Sequence, residues 1–251
     1  MVLRATPYGD SDIIVQVFTA EHGKLSALAR AARKSQRRFA GALGLMVLAR
    51  YQLRARPRAE MWSLESASVL REWTALATDV AAVAHAAYGV ELVRELVPAE
   101  QPEPRALGLL VELHDALAAR GPSPSVLRAF ELGLLEALGS APSLESCVGC
   151  GDADTLDRPG TVFDPGRGGL ACVRCAPAGR GAGIRPLPDT ARAYLRAARD
   201  VAVLADAAAL DADPDAAHER ALARDCLVAM VTGLVGHPLR SLEFIAKMRG
   251  A

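Results

Sequence analysis

Two short cysteine pairs constrain this chain more than any other feature: Cys147-x2-Cys150, a gap of 21 residues, then Cys172-x2-Cys175. A Cys-x2-Cys turn places two sulfurs on one side of a tight loop, and two such turns complete a tetrahedron whose corners all come from protein. The spacing therefore predicts a structural Zn2+. It argues against a hydrolytic one, which keeps a coordination position open for its nucleophile. Gly149, Gly151, Gly168 and Gly169 supply the turns that aim backbone amides at sulfur, and Phe163 and Leu170 are placed to pack beside the metal. An iron–sulfur cluster and a redox-active pair are the competing readings, although neither pair opens a helix in a βαβ setting. Residues 141–187, rich in Gly, Pro, Asp and Cys, hold too little apolar side chain for a core and need such a staple. The fifth cysteine lies in Cys226-Leu227-Val228-Ala229-Met230 and reads as a buried packing residue.

The flanking sequence is of two other kinds. Residues 1–78 read as short strands, among them Asp12–Phe18, Lys24–Ala29 and Leu43–Leu53, separated by turn formers at Pro7-Tyr8-Gly9-Asp10, His22-Gly23 and Gly41. Ile13, Val15 and Val17 share one face, and short strands without intervening long helices predict a small barrel or sandwich. From Asp79 the apolar period lengthens to that of a helix: Val80, Val83, Ala84, Ala87, Val90, Glu91 and Val93 form one face, which stops at Pro98. Further helices are expected at 104–119, 124–138, 189–204, 216–235 and 239–248. Ser123 caps the second of these ahead of Pro124, and Gly139 closes it. The expected architecture is thus α+β and multidomain, with strands in 1–78, a helical domain in 79–140 and 188–251, and a zinc-finger insert in 141–187. With 251 residues, 51% of them hydrophobic, the chain has enough apolar side chain for a sizeable core. No apolar run reaches the roughly 18 to 20 residues of a membrane span, and the start lacks the order of a signal peptide. The expectation is a cytoplasmic protein with no membrane partner.

Net charge is zero, but the zero conceals an asymmetry. Residues 1–80 carry 12 Lys/Arg against 7 Asp/Glu, and the remaining 171 carry 17 against 22. Between Lys24 and Arg58 there are ten basic residues and no acid: Lys24, Arg30, Arg33, Lys34, Arg37, Arg38, Arg50, Arg54, Arg56 and Arg58. That is the signature of a surface for a polyanion. Arg54, Arg56 and Arg58, spaced by two, would form a stripe along an extended strand, whereas Arg30–Arg38 lacks apolar periodicity and reads as a projecting loop. With Lys24 these are the candidate nucleic-acid contacts. A solvated, functionless loop is the plain alternative, but a run of 35 residues without an acid is unlike the mixed charge elsewhere. Among Tyr8, Phe18, Phe39, Tyr51 and Trp62 most are expected in the core, and Tyr51 and Trp62 are the best candidates for stacking on bases.

No enzymatic constellation is found. His218-Glu219 lacks the second histidine of a zincin helix, no phosphate-binding glycine loop is present, and Asp211, Asp213 and Asp215 lack the glycine and closing glutamate of a calcium loop. The chain is expected not to be an enzyme.

Several motifs together resemble one family. Tyr8-Gly9-Asp10-Ser11-Asp12 before Ile13-Ile14-Val15, His22-Gly23-Lys24-Leu25-Ser26, Arg38-Phe39-Ala40-Gly41-Ala42-Leu43, Phe163-x-Pro165-x3-Gly169 and the Cys147–Cys175 pairs are similar to RecO, the bacterial recombination mediator. The resemblance implies an N-terminal OB-fold β-barrel, an all-α domain and a four-cysteine zinc-finger insert. It also implies binding to single- and double-stranded DNA, annealing of complementary strands, and cooperation with RecR in loading RecA onto DNA coated by single-strand-binding protein, whose C-terminal tail is a family contact. That would be a role in DNA repair by the RecF pathway, at the bacterial nucleoid. The family pattern leads one to expect a glycine near Ala31, where this chain has Ala29-Arg30-Ala31. An RNA-binding or transcription factor that couples a small barrel to a zinc ribbon is the alternative, since phosphate contacts do not tell DNA from RNA.

Overall fold

The computed structural model describes residues 1–56, 59–157, 160–177 and 183–249. They fall into two compact units, Met1–Ala118 and Ala119–Ala251.

Five strands open the first unit: β1 (Val2–Tyr8), β2 (Asp12–Thr19), β3 (Gly23–Ala29), β4 (Val47–Arg54) and β5 (Trp62–Glu72). Between β3 and β4 lie a 3-10 turn at Ala32–Lys34 and the four-residue α1 (Gln36–Phe39). The sheet order is β1-β2-β3-β5-β4, antiparallel throughout except for the β3–β5 pair. Alternation decides the register. Val15 and Val17 of β2 face inward opposite Ala27 and Leu25 of β3, and Val2, Val47, Ala49, Leu64 and Ala67 bring all five strands into the same core.

The OB-fold β-barrel that the resemblance implies is not closed by backbone pairing. Among the described residues no ladder joins β4 to β1, and both stand as sheet edges. A groove of about 510 Å³ runs beside β4, between Leu48–Leu53 and the β2–β3 turn.

Two helices complete the first unit, α2 (Val80–Leu96) and α3 (Pro104–Arg120), the latter running to the boundary. Asp79 caps α2, accepting from the amides of Ala81 at 2.8 Å and Ala82 at 3.2 Å. The expected apolar face of α2 needs one correction: Val80 stands in its first turn and is exposed, while burial is nearly continuous from Ala82 to Val93.

The second unit holds α4 (Pro124–Ala137), the small antiparallel sheet β6 (Val162–Asp164), β7 (Gly169–Ala171) and β8 (Arg185–Pro186), then α5 (Asp189–Arg199), a 3-10 stretch at Leu204–Asp211, α6 (Ala217–Val235) and α7 (Arg240–Arg249). Ser123 accepts from the Val126 amide at 3.1 Å with Pro124 in the first turn, and Gly139 closes α4 with φ 69°. Asp211, which leads the acidic triplet, reaches α4 instead of solvent: its carboxylate accepts from the hydroxyls of Ser123 and Ser125 at 2.6 Å each. Cys226 is fully buried, and desolvation pushes its thiol up to about 12. No helix among the described residues is long and apolar enough to cross a membrane.

Candidate metal centre and nucleic-acid interface

The four paired cysteines come together. Their sulfurs all lie within 4.8 Å of one another, and Cys150 and Cys172 are 4.0 Å apart, close to the edge of about 3.8 Å set by four bonds of about 2.3 Å to Zn2+. The two turns are built alike. The Gly151 amide donates to the Cys147 carbonyl at 2.8 Å, and the Ala176 amide to the Cys172 carbonyl at 2.8 Å. The Cys147 sulfur accepts from the amides of Gly149 and Cys172, both at 3.3 Å. Burial opposes its ionisation, but the amides of Cys172, Cys150 and Gly149 prevail and lower its pKa.

Burial also opposes ionisation of Cys172, yet the Thr155 hydroxyl and the amides of Cys175 and Arg174 bring that thiol down to about 6. Cys175 moves the other way, up to about 12, first through its hydrogen bonding to Cys172 and then through burial. Four thiolates this close repel one another until a cation joins them, so the donor set fits a thiophilic dication. Gly149 makes the cradle tight: a Cβ there would meet the Cys175 Cβ at 2.6 Å and its sulfur at 2.8 Å. Phe163 and Leu170 are fully buried in the small sheet, and the Val148 amide donates to the Leu170 carbonyl at 2.8 Å, tying the first turn to β7.

Residues with no cysteine chemistry hold the centre in place. Arg167 donates to the Cys175 carbonyl at 3.0 Å, and Asp164 receives the amides of Gly166 and Arg167 at 3.1 and 3.2 Å. From α5, the buried Arg192 donates to the Leu144 carbonyl at 2.8 Å, three residues before Cys147. Arg196 and Arg199 grip Glu145 beside it. None of these residues stands out in the sequence. The spacing of Arg192, Arg196 and Arg199, one helix face at i, i+4 and i+7, is the signal that could have found them.

The basic residues of the first unit divide into three groups. Arg30, Arg33, Lys34, Arg37 and Arg38 all lie on the exposed segment that follows β3, and among the described residues none forms an ion pair with a carboxylate. Arg38 shapes the loop. It donates to the Arg30 carbonyl at 2.6 Å and lies over the Phe39 ring at 5.0 Å. Arg50 and Arg54 share the exposed face of β4, but Arg54 is paired with Glu65 at 3.0 Å. The expected stripe of Arg54, Arg56 and Arg58 is not extended along a strand, because β4 ends at Arg54. Arg56 is half-buried beyond it, and Arg58 lies outside the described residues.

Lys24 is turned inward. Its ammonium donates to the Arg94 carbonyl in the last turn of α2, where a cation complements the helix dipole. Desolvation lowers its pKa, Glu95 raises it and Arg94 lowers it further. Tyr51 is half-buried along the groove beside β4, with Arg50 and His22, and Trp62 rests against His22 at 5.1 Å between ring centroids. Asp12, in the sequence only one member of a motif, has a structural task. Its carboxylate accepts from the Ala31 amide at 2.7 Å and so pins the root of the basic loop to β2.

Comparison with known proteins shows what this arrangement belongs to. The family model described as recombination protein O N terminal matches residues 1–73, and that described as recombination protein O C terminal matches residues 77–243. The chain belongs to the RecO family. Relatives named DNA repair protein RecO include that of Anaeromyxobacter sp. (strain Fw109-5), 43% identical over 246 residues that cover 98% of this chain and 93% of the relative. Another is that of Myxococcus xanthus (strain DK1622), 35% identical over 251 residues covering 99% and 96%. The N-terminal RecO match ends one residue past β5 and so takes in the whole five-stranded sheet with its basic loop. The C-terminal RecO match takes in all four clustered cysteines.

Proposed function

We propose that this RecO family protein is a DNA-binding recombination mediator in DNA repair and is not an enzyme. In this reading it binds single- and double-stranded DNA, anneals complementary strands and, with RecR, helps load RecA onto DNA coated by single-strand-binding protein, whose C-terminal tail it contacts. It would work in the RecF pathway, in the cytoplasm at the nucleoid. The observation that carries the proposal is the exposed segment from Arg30 to Arg38, whose cations have no carboxylate partners among the described residues, whereas Arg54, Arg71, Arg94, Arg192, Arg196 and Arg199 are all paired. Cations whose charge no carboxylate neutralises are available to phosphates, and their contacts release counterions whatever the base sequence. A surface that neutralises two strands at once also reduces the repulsion that opposes annealing.

The order β1-β2-β3-β5-β4 around one shared core supports reading residues 1–78 as a partly open OB-fold. Residues 79–140 with 188–251 would be the helical domain and 141–187 the insert. The ion at Cys147, Cys150, Cys172 and Cys175 would be Zn2+, holding the insert together with every coordination position filled by protein. Within the proposed DNA contacts, Arg30, Arg33, Lys34 and Arg37 act directly, Arg38 shapes the loop and Lys24 is an internal anchor.

The test replaces Arg33, Lys34, Arg37 and Arg38 together by Glu. Binding to single-stranded DNA should fall at least a hundredfold and lose its salt dependence, with the circular dichroism spectrum unchanged. The variant should also fail to anneal strands covered by single-strand-binding protein, with or without RecR. Unchanged affinity and salt slope would remove the loop from the interface, and tighter binding to structured RNA than to DNA would favour the RNA-binding alternative.

A further inference from the structure

The basic segment is folded over a pocket. After the 3-10 turn, α1 and the turn that follows it border a shallow, open depression of about 280 Å³, lined by Ile13, Ala32, Arg33, Ser35, Phe39 and Leu43, with the exposed Ala40, Gly41 and Gly44 at its margin. Its inner wall is apolar: Phe39 is buried in the core of the sheet, and Ile13, Ala32 and Leu43 pack against that core. Its outer side is cationic. Arg33 lines it, exposed and bonded only weakly to the Asp10 carbonyl at 3.4 Å, and Arg30, Lys34 and Arg37 are exposed along the same short segment. Among the described residues no acidic side chain lines it, and the Glu72 carboxylate stands beside the lining residue Gly41, 3.5 Å from where a Cβ there would lie.

We propose that this pocket receives one unstacked nucleobase of a single strand whose neighbouring phosphates lie on Arg33 and the adjoining cations. The proposal rests on the nucleic-acid reading above and gives it a second, uncharged component. The volume lies just below the roughly 300 Å³ at which sites for drug-sized ligands begin, which suits a single flat ring system. An apolar wall takes the face of any base, and a cationic rim takes the phosphates on either side. The Ser35 hydroxyl oxygen accepts from both the amide and the Nε of Arg38 at 3.3 Å each, which leaves one O–H donor with which to meet a base edge, too little to tell four bases apart, so the site should tolerate all four. A paired base cannot enter without leaving its stack, so the pocket favours single strands or frayed ends over intact duplex.

The experiment compares the unaltered protein on a labelled oligodeoxythymidylate and on an abasic strand of the same length and charge, at one salt concentration. The abasic strand should bind between about fivefold and a hundredfold more weakly, as loss of base stacking predicts. In the variant Ala40→Leu, which puts a bulky side chain on an exposed residue of the lining, the two strands should bind alike and affinity for duplex should be unchanged. Equal binding of the two strands by the unaltered protein overturns the proposal, as does a difference that survives Ala40→Leu when duplex affinity is intact. Absence of salt-dependent binding to every strand would instead overturn the nucleic-acid reading itself.

Discussion

Ala31 sits at φ 51°, ψ 29°, in the left-handed region, at the point where β3 turns into the basic loop. Its amide is committed to Asp12 at 2.7 Å, so the conformation is held by a contact to β2. For an alanine that conformation costs on the order of 1–2 kcal/mol, and glycine avoids it at an entropic cost of about 0.5–1 kcal/mol. Ala31→Gly should therefore stabilise the protein by about 1 kcal/mol, read as a higher denaturant midpoint at unchanged slope. A lower midpoint would show that the turn is not strained. This position was legible in the sequence, because the family pattern puts a glycine near it. Gly23 shows the same logic already satisfied: φ is 66°, and a Cβ there would lie 2.0 Å from the Gln101 carbonyl oxygen. Lys24, its neighbour, was not legible. A lysine inside a basic run reads as surface, and only the fold reveals that the Arg94 carbonyl stands above it.

Elements whose ends are set by local chemistry were legible almost to the residue. Pro98 follows α2, Ser123-Pro124 opens α4 and Gly139 closes it, since capping and φ restriction need no distant partner. Strand lengths and partners were less so. β4 ends at Arg54, with its last pair to Ser63 of β5, which dissolves the stripe that spacing alone suggested, and the edge between β4 and β1 depends on packing across the sheet. The same divide governs α5. Its existence and its face of three arginines could be read, but what that face grips could not, because Leu144 lies 48 residues from Arg192. The three arginines should not matter equally. Arg192 is buried and bonded to a backbone carbonyl as well as to Asp157, so Arg192→Ala should cost about 2 kcal/mol by equilibrium unfolding. Arg199 meets Glu145 in solvent, and Arg199→Ala should change stability by less than about 0.5 kcal/mol. Equal losses would mean that the insert hangs from α5 by its charges and not by the Leu144 carbonyl.

At the scale of the chain, two different physical devices occupy separate stretches of sequence. The proposed phosphate contacts lie between Arg30 and Arg38 and need only exposed cations, which composition displays directly. The metal centre lies between Cys147 and Cys175 and needs four sulfurs at fixed separation, which spacing displays but composition does not. Their energetics differ accordingly. Phosphate contacts weaken steeply with salt. A four-thiolate site that holds Zn2+ is insensitive to salt and contributes apparent binding energies on the order of 10–16 kcal/mol to folding, so a segment held in that way would depend on the ion. Chelation should release one dication per chain and raise amide hydrogen exchange across the described parts of 141–187, and Cys147→Ala should do the same without a chelator while lowering solubility. Affinity for single-stranded DNA and its salt slope should persist after chelation if the phosphate contacts come from Arg30, Arg33, Lys34 and Arg37. If metal removal instead lowers the salt slope by about 0.7 for each phosphate no longer neutralised, cations of the insert lie on the DNA as well.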